Sequence, residues 1–145
     1  MSWPSPTPGL VIRYAYLWRR EALTGSEEGA KDRPCAIVAA IKRENDETTV
    51  YVLPITHSPP GRDEDALELP QPTKIRLGLD SDRSWIVLSE ANAFIWPGPD
   101  LRFVAGRGPE SIAYGMLPPG LMRIVKERFA QLLKARRAVA TSRTV

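Results

Sequence analysis

Scarce residue types set the first limits on this chain. One cysteine, Cys35, excludes an internal disulfide framework. It lies in the apolar run Cys35 to Ile41 and reads as a small buried thiol. With one histidine, His57, the chain has neither CxxC nor HExxH spacing, and it also lacks a P-loop and a nucleophile elbow. No apolar run approaches the ~20 residues of a membrane span. Nothing resembles a signal peptide, because the N-terminus holds Pro4, Pro6 and Pro8. A cytoplasmic protein without membrane contact, metal or cofactor is therefore expected. Internal repeats and low-complexity tracts are absent too.

What is present is enough for one domain. The chain has 145 residues and 43% apolar content, which predicts a packed globule spanning 1–145. Its net charge of +3 is unevenly placed. Residues 1–118 carry 13 Lys/Arg against 16 Asp/Glu, whereas residues 119–145 carry seven against one. A basic end after an acidic body favours an anionic partner, and residues 139–145 are expected as a basic tail.

Taken in order, residues 1–8 are Pro-rich and expected to be loose. Leu10 to Trp18 is aromatic and β-branched, a strand whose Leu10, Ile12, Tyr14, Tyr16 and Trp18 should face inwards. Arg19 to Asp32 reads as a polar loop. Cys35 to Ile41 and Val50 to His57 read as an antiparallel hairpin, the first strand buried on both faces. Pro34 biases Arg33 towards extended geometry at the strand entrance. The hairpin then brings Arg33, Thr56 and His57 to one end of the sheet.

The segment 58–72 holds four prolines and four acids and reads as an exposed loop. Lys74 to Leu77 alternates and is expected as a short edge strand. Trp85 to Leu88 is a buried strand, and Ala93 to Trp96 continues it or begins the next. Pro118-Pro119 opens a helix. Its apolar face is Leu121, Met122, Val125, Phe129, Leu132 and Leu133. Short strands closed by one terminal helix predict a mainly β fold with α, a small barrel.

Five landmarks in this order carry a resemblance. Gly25-Ser26-Glu27-Glu28-Gly29 running into Arg33-Pro34 looks like the G-S-E-Q-G…R-P signature of the MazF/PemK plasmid-maintenance toxins. Leu53-Pro54-Ile55-Thr56 is similar to that family's V-P-I-T strand end, and Gly78-Leu79-Asp80 to its turn before a buried strand. Ser84 to Trp96 resembles the strand that follows, and Gly115-Met116-Leu117-Pro118 the closing G-x-L-x-P element. The resemblance runs from about Gly9 to Lys134. It implies an SH3-like antiparallel barrel of five to seven strands with a C-terminal amphipathic helix, working as a homodimer.

The family's members are mostly metal-independent, sequence-selective endoribonucleases, silenced by an antitoxin with an acidic tail. The resemblance thus implies single-stranded RNA (mRNA) as substrate and an acidic antitoxin as partner. By position, Arg33 and Thr56 take the catalytic roles. The Ser26–Arg33 stretch takes the role of a flap, with Ser26, Glu27 and Lys31 contacting RNA. The segment matching Ser89 to Ala93 departs from the family: Asn92 stands where a basic residue is common. Val87 and Ser89 stand where one branch has an Arg-x-Asp pair.

Metal-free RNA cleavage needs a proton acceptor for the 2′-hydroxyl, a cation for the developing charge and in-line geometry. Arg33 suits the second role, since guanidinium grips phosphate as a fork. Its bland alternative is a turn-capping arginine. Thr56 can hydrogen-bond phosphate or the 2′-hydroxyl, or serve only as a strand threonine. His57 and Glu90 are the candidate bases, each alternatively a solvated bystander. Strand alternation would separate Thr56 from His57 unless the strand ends there. Trp18 and Trp96 are candidates for stacking on bases, and Asn92 for contacting RNA. Two other readings stay open: a non-enzymatic toxin that acts on DNA gyrase, as the related CcdB proteins do, and a family member that binds RNA or antitoxin without turnover.

Overall fold

The computed structural model describes residues 3–25, 31–107 and 111–143. Its centre is the expected hairpin, β2 (Arg33–Lys42) and β3 (Thr48–Thr56), after β1 (Leu10–Tyr14) and the short helix α1 (Arg19–Leu23). Then come β4 (Ala66–Glu68), α2 (Gln71–Leu77), β5 (Trp85–Val87), β6 (Glu90–Ile95), β7 (Ala113–Met116), α3 (Pro119–Lys134) and β8 (Val139–Ser142). The eight strands among the described residues join one sheet, in the order β4-β5-β3-β2-β1-β7, with β6 pairing β3 and β8. The pairs are antiparallel except β6–β8, which is parallel. No pairing among the described residues joins β4 back to β7. The mainly β reading holds, but the sheet is open where a closed barrel was expected.

Alternation along β2 and β3 gives the sheet two apolar faces. Ala36, Val38, Leu53 and Ile55 join Val11, Ile86 and Leu88 beneath Met122, Val125, Phe129 and Leu132 of α3. Cys35, Ile37, Val50 and Val52 turn the other way, to Ile12, Tyr14, Tyr16, Phe94 and Ile112. β2 is thus buried on both faces, as its unbroken apolar run predicts. Cys35 is a buried free thiol whose pKa burial pushes up. The expected face of α3 is right except for Leu133, which is exposed.

Several local expectations are corrected. β1 ends at Tyr14, and Val11, Ala15 and Leu17 are buried as well as Leu10, Ile12, Tyr14 and Tyr16, whereas Trp18, also expected to face inwards, is half-buried. Residues 19–23, expected as loop, form α1, where Glu21 accepts the Trp18 backbone N–H at 3.0 Å. The segment 58–72 is not one exposed loop. Its prolines sit at its two ends and leave Ala66–Glu68 free to pair with β5, with Ala66 and Leu69 buried. Lys74 to Leu77 is helical, not a strand. Pro72 starts α2, and Gly78, at φ 72°, closes it with bonds from the Gly78 and Leu79 N–H groups to the Ile75 and Lys74 carbonyls.

The basic end is not a tail either: residues 139–142 are β8, and Arg143 beyond it is buried. Arg143 donates to the Ala15 carbonyl at 2.7 Å and to Asn92 Oδ1 at 3.1 Å, and pairs with Asp100 at 3.2 Å. The segment after β1 and the segment after β8 are thereby tied together. No helix among the described residues is long and apolar enough to cross a membrane.

Candidate active site

One open cleft of about 490 Å³ lies where β2 begins and β3 ends. Cys35 stands opposite Pro54. Extending that register by two residues sets Arg33 opposite Thr56, and directly opposed side chains share a face. β3 stops at Thr56, so alternation no longer dictates where His57 lies. All three residues line the cleft, together with Trp18, Lys31 and Asp80. The sequence expectation that Arg33, Thr56 and His57 meet is therefore met. Thr56 Oγ1 accepts the Ser58 N–H at 3.2 Å, which leaves its own hydroxyl proton to donate.

The charges at the cleft divide sharply. Its carboxylates have cationic partners already: Asp32 with Arg13 and Arg102, Asp65 with Arg137, Asp80 with Lys74. Arg20, Lys31 and Arg33, which also line it, take no ion pair among the described residues. Arg33 instead rests 5.0 Å from the Trp18 ring centroid, with Arg20 at 5.3 Å from the same ring. The Arg33 Nε is buried and finds no hydrogen-bond partner among the described residues. Among the described residues the cleft thus presents positive charge without a counter-ion beside an aromatic plane, the combination that attracts a phosphate backbone.

Sequence reasoning missed the third group here. His57 Nε2 lies 2.8 Å from Asp80 Oδ2. The other oxygen of Asp80 accepts from Lys74 Nζ at 2.8 Å. Lys74 is only 1% exposed, and its remaining donors go to the Asp82 carbonyl and to Ser84 Oγ, the latter at 2.7 Å. A buried ammonium with every proton placed is a fixed anchor, not a solvated charge. It holds the Asp80 carboxyl below the usual carboxylate range, chiefly by its hydrogen bond and against a smaller effect of burial. His57, Asp80 and Asp82 bring a ring nitrogen and two carboxylates within 4.8 Å of one another, close enough to share a cation. The cation found on Asp80 is the Lys74 ammonium.

Other expected site residues are placed elsewhere. Glu90 does not line the cleft: one of its oxygens accepts from Tyr16 OH and from the Arg19 N–H, both at 3.0 Å. That contact raises the Tyr16 phenol pKa further beyond what burial does. Asn92 is fully buried, its amide taken by the Leu17 N–H at 2.9 Å and the Leu17 carbonyl at 2.8 Å. It holds the segment that carries Trp18 to the cleft and is closed to RNA. Trp96 packs 6.1 Å from Phe94 on the far core and is also absent from the cleft wall. Ser26 and Glu27 of the expected flap lie outside the described residues, whereas Lys31 is exposed at the cleft.

Comparison with protein-family models, with curated proteins and with solved structures finds no match for this chain.

Proposed function

We propose that this protein is an endoribonuclease that cleaves single-stranded RNA without a metal ion, by attack of a 2′-hydroxyl on the adjacent phosphorus. The observation that carries the reading is the cleft itself. An arginine with no counter-ion among the described residues, a threonine hydroxyl and the chain's one imidazole line a single open hollow, while each acid there is already neutralised. His57 takes the 2′-proton, the 2′-oxygen bonds to phosphorus, and the bond to the 5′-oxygen breaks, that oxygen taking a proton from water. Arg33 holds the charge that develops on the phosphoryl oxygens, and Thr56 donates to one of them. Trp18, with Arg33 and Arg20 against its faces or edges, offers a plane for a splayed base.

The resemblance to the MazF/PemK toxins supports the same chemistry and adds its setting: a homodimeric toxin of a type II toxin–antitoxin pair, countered by an acidic antitoxin. The direct test is incubation of the pure protein with mixed-sequence RNA in EDTA. Cleavage leaving 2′,3′-cyclic phosphate ends, lost on Arg33→Ala, is expected. Intact RNA, or cleavage unchanged by Arg33→Ala, would remove the proposal.

A further inference from the structure

We infer that Lys74 and Asp80 are positioning residues that lock His57 as its Nε2–H tautomer, so that Nδ1 is the atom that takes and returns the proton. The inference rests on the ribonuclease reading for its consequence but on local chemistry for its content. Asp80 receives three hydrogen bonds: from the buried Lys74 ammonium and, at 3.2 Å, the Asp82 N–H on one oxygen, and at 2.8 Å from the His57 ring on the other. A carboxylate held anionic by Lys74 only accepts. Nε2 must therefore carry a proton in both the neutral and the charged imidazole, and Nδ1 is left as the site that changes. His57 stands just past the end of β3, more than half exposed, so the strand does not fix its ring. The ring's one polar contact among the described residues is Asp80, whose own position comes from α2 and the Asp82–Ser84 turn through Lys74. The groups that face the pair are the Lys74 ammonium and the Asp82 carboxylate.

Having one histidine makes the experiment clean, since every imidazole signal comes from His57. Nitrogen-15 NMR of the imidazole in the full-length protein, above its titration, is expected to show an unprotonated Nδ1 and a protonated Nε2. In Asp80→Ala the ring should relax to the tautomer mixture of free histidine. Lys74→Met should move the same way, and because Asp80 lies in an exposed turn its variant tests the idea even if the Lys74 variant fails to fold. Single-turnover cleavage should fall about 10- to 100-fold in Asp80→Ala with KM nearly constant, less than the full 10²–10⁴ of acid–base catalysis.

A protonated Nδ1 in the wild type, or a tautomer unchanged by Asp80→Ala, overturns the inference. The expected tautomer in a protein that leaves RNA intact supports the relay and overturns the nuclease instead. Cleavage by a protein with a free-histidine tautomer mixture does the reverse.

Discussion

Two arginines approach the same buried tyrosine and are used in opposite ways. Arg143 lies over the Tyr14 ring with a side chain 2% exposed. Its guanidinium meets Asp100, the Ala15 carbonyl, Asn92 and the Tyr14 hydroxyl. Arg33 stands beside Tyr14 in the β1–β2 register but turns its guanidinium to Trp18 and the cleft, with no acid among the described residues to meet it. At the first site acceptors surround the charge, so it belongs to the fold. At the second no acid among the described residues meets the charge, and a ligand can supply the acceptors. On the proposed reading, a guanidinium with an acid partner serves the fold, and one without a partner among the described residues is left to serve a ligand.

Removing Arg143 tests the comparison hardest. Arg143→Met leaves Asp100 and the Ala15 carbonyl buried without their partner, a loss of about 3–5 kcal/mol. Urea unfolding should show it directly. A midpoint close to wild type would mean that the Arg143 contacts with Ala15 and Asp100 carry no stability. Arg33→Ala is the mirror experiment. Cleavage should fall about 10²–10³-fold, equivalent to ~2.7–4 kcal/mol of transition-state stabilisation. The fold should lose no more than about 1 kcal/mol, the size of its contact with Trp18. A large stability loss with activity retained would place Arg33 with Arg143, as a structural residue.

Lys74 belongs to both classes, and so its expected effect is intermediate. It is buried like Arg143, yet the carboxylate it holds is 52% exposed. Lys74→Met lets Asp80 recover water and leaves the Asp82 carbonyl and the Ser84 hydroxyl with only the 3.3 Å bond between them. The cost should be about 1–3 kcal/mol, below that of a fully enclosed pair. A loss as large as that of Arg143→Met would show that the anchor is chiefly a folding element.

The same contrast explains what could be read in the residues beforehand. The hairpin was legible because Cys35–Ile41 and Val50–Ile55 are continuous apolar runs between turn signals, and its register then brings Arg33 to Thr56. α3 was legible from spacing, apart from Leu133. The Lys74 anchor was hidden by a short alternation, Lys74-Ile75-Arg76-Leu77, that mimics an edge strand. Pro72 and Gly78, six residues apart, carried the correct helix start and stop. Glu90 and Asn92 misled for another reason. Their partners, Tyr16, Arg19 and Leu17, lie more than 70 residues away in sequence, and only the fold brings them together. The basic end misled likewise: charge counts do not reveal that Arg143 finds Asp100 inside the protein.

The smallest expected effect is also the one that separates the two regions by exposure alone. Lys74 lowers the Asp80 pKa in the folded chain below its ordinary 3.8. A depressed carboxylate stabilises the fold fully above that ordinary value and loses the contribution as pH falls through the lower folded value. Because Asp80 is half exposed, water screens the pair, and the contribution is no more than about 1 kcal/mol. Stability measured from about pH 5 down to about pH 2 should therefore decline slightly less steeply in Asp80→Asn than in wild type. Glu68, whose pKa Arg83 also lowers by its hydrogen bond, is common to both proteins, so it cancels in the difference. An identical acid limb would mean that the ammonium does not hold the carboxylate in solution. A far steeper wild-type decline would make Asp80 as integral to the fold as the groups around Arg143. The small difference is what a working carboxylate requires: firmly held by one neighbour, yet open enough to steer another.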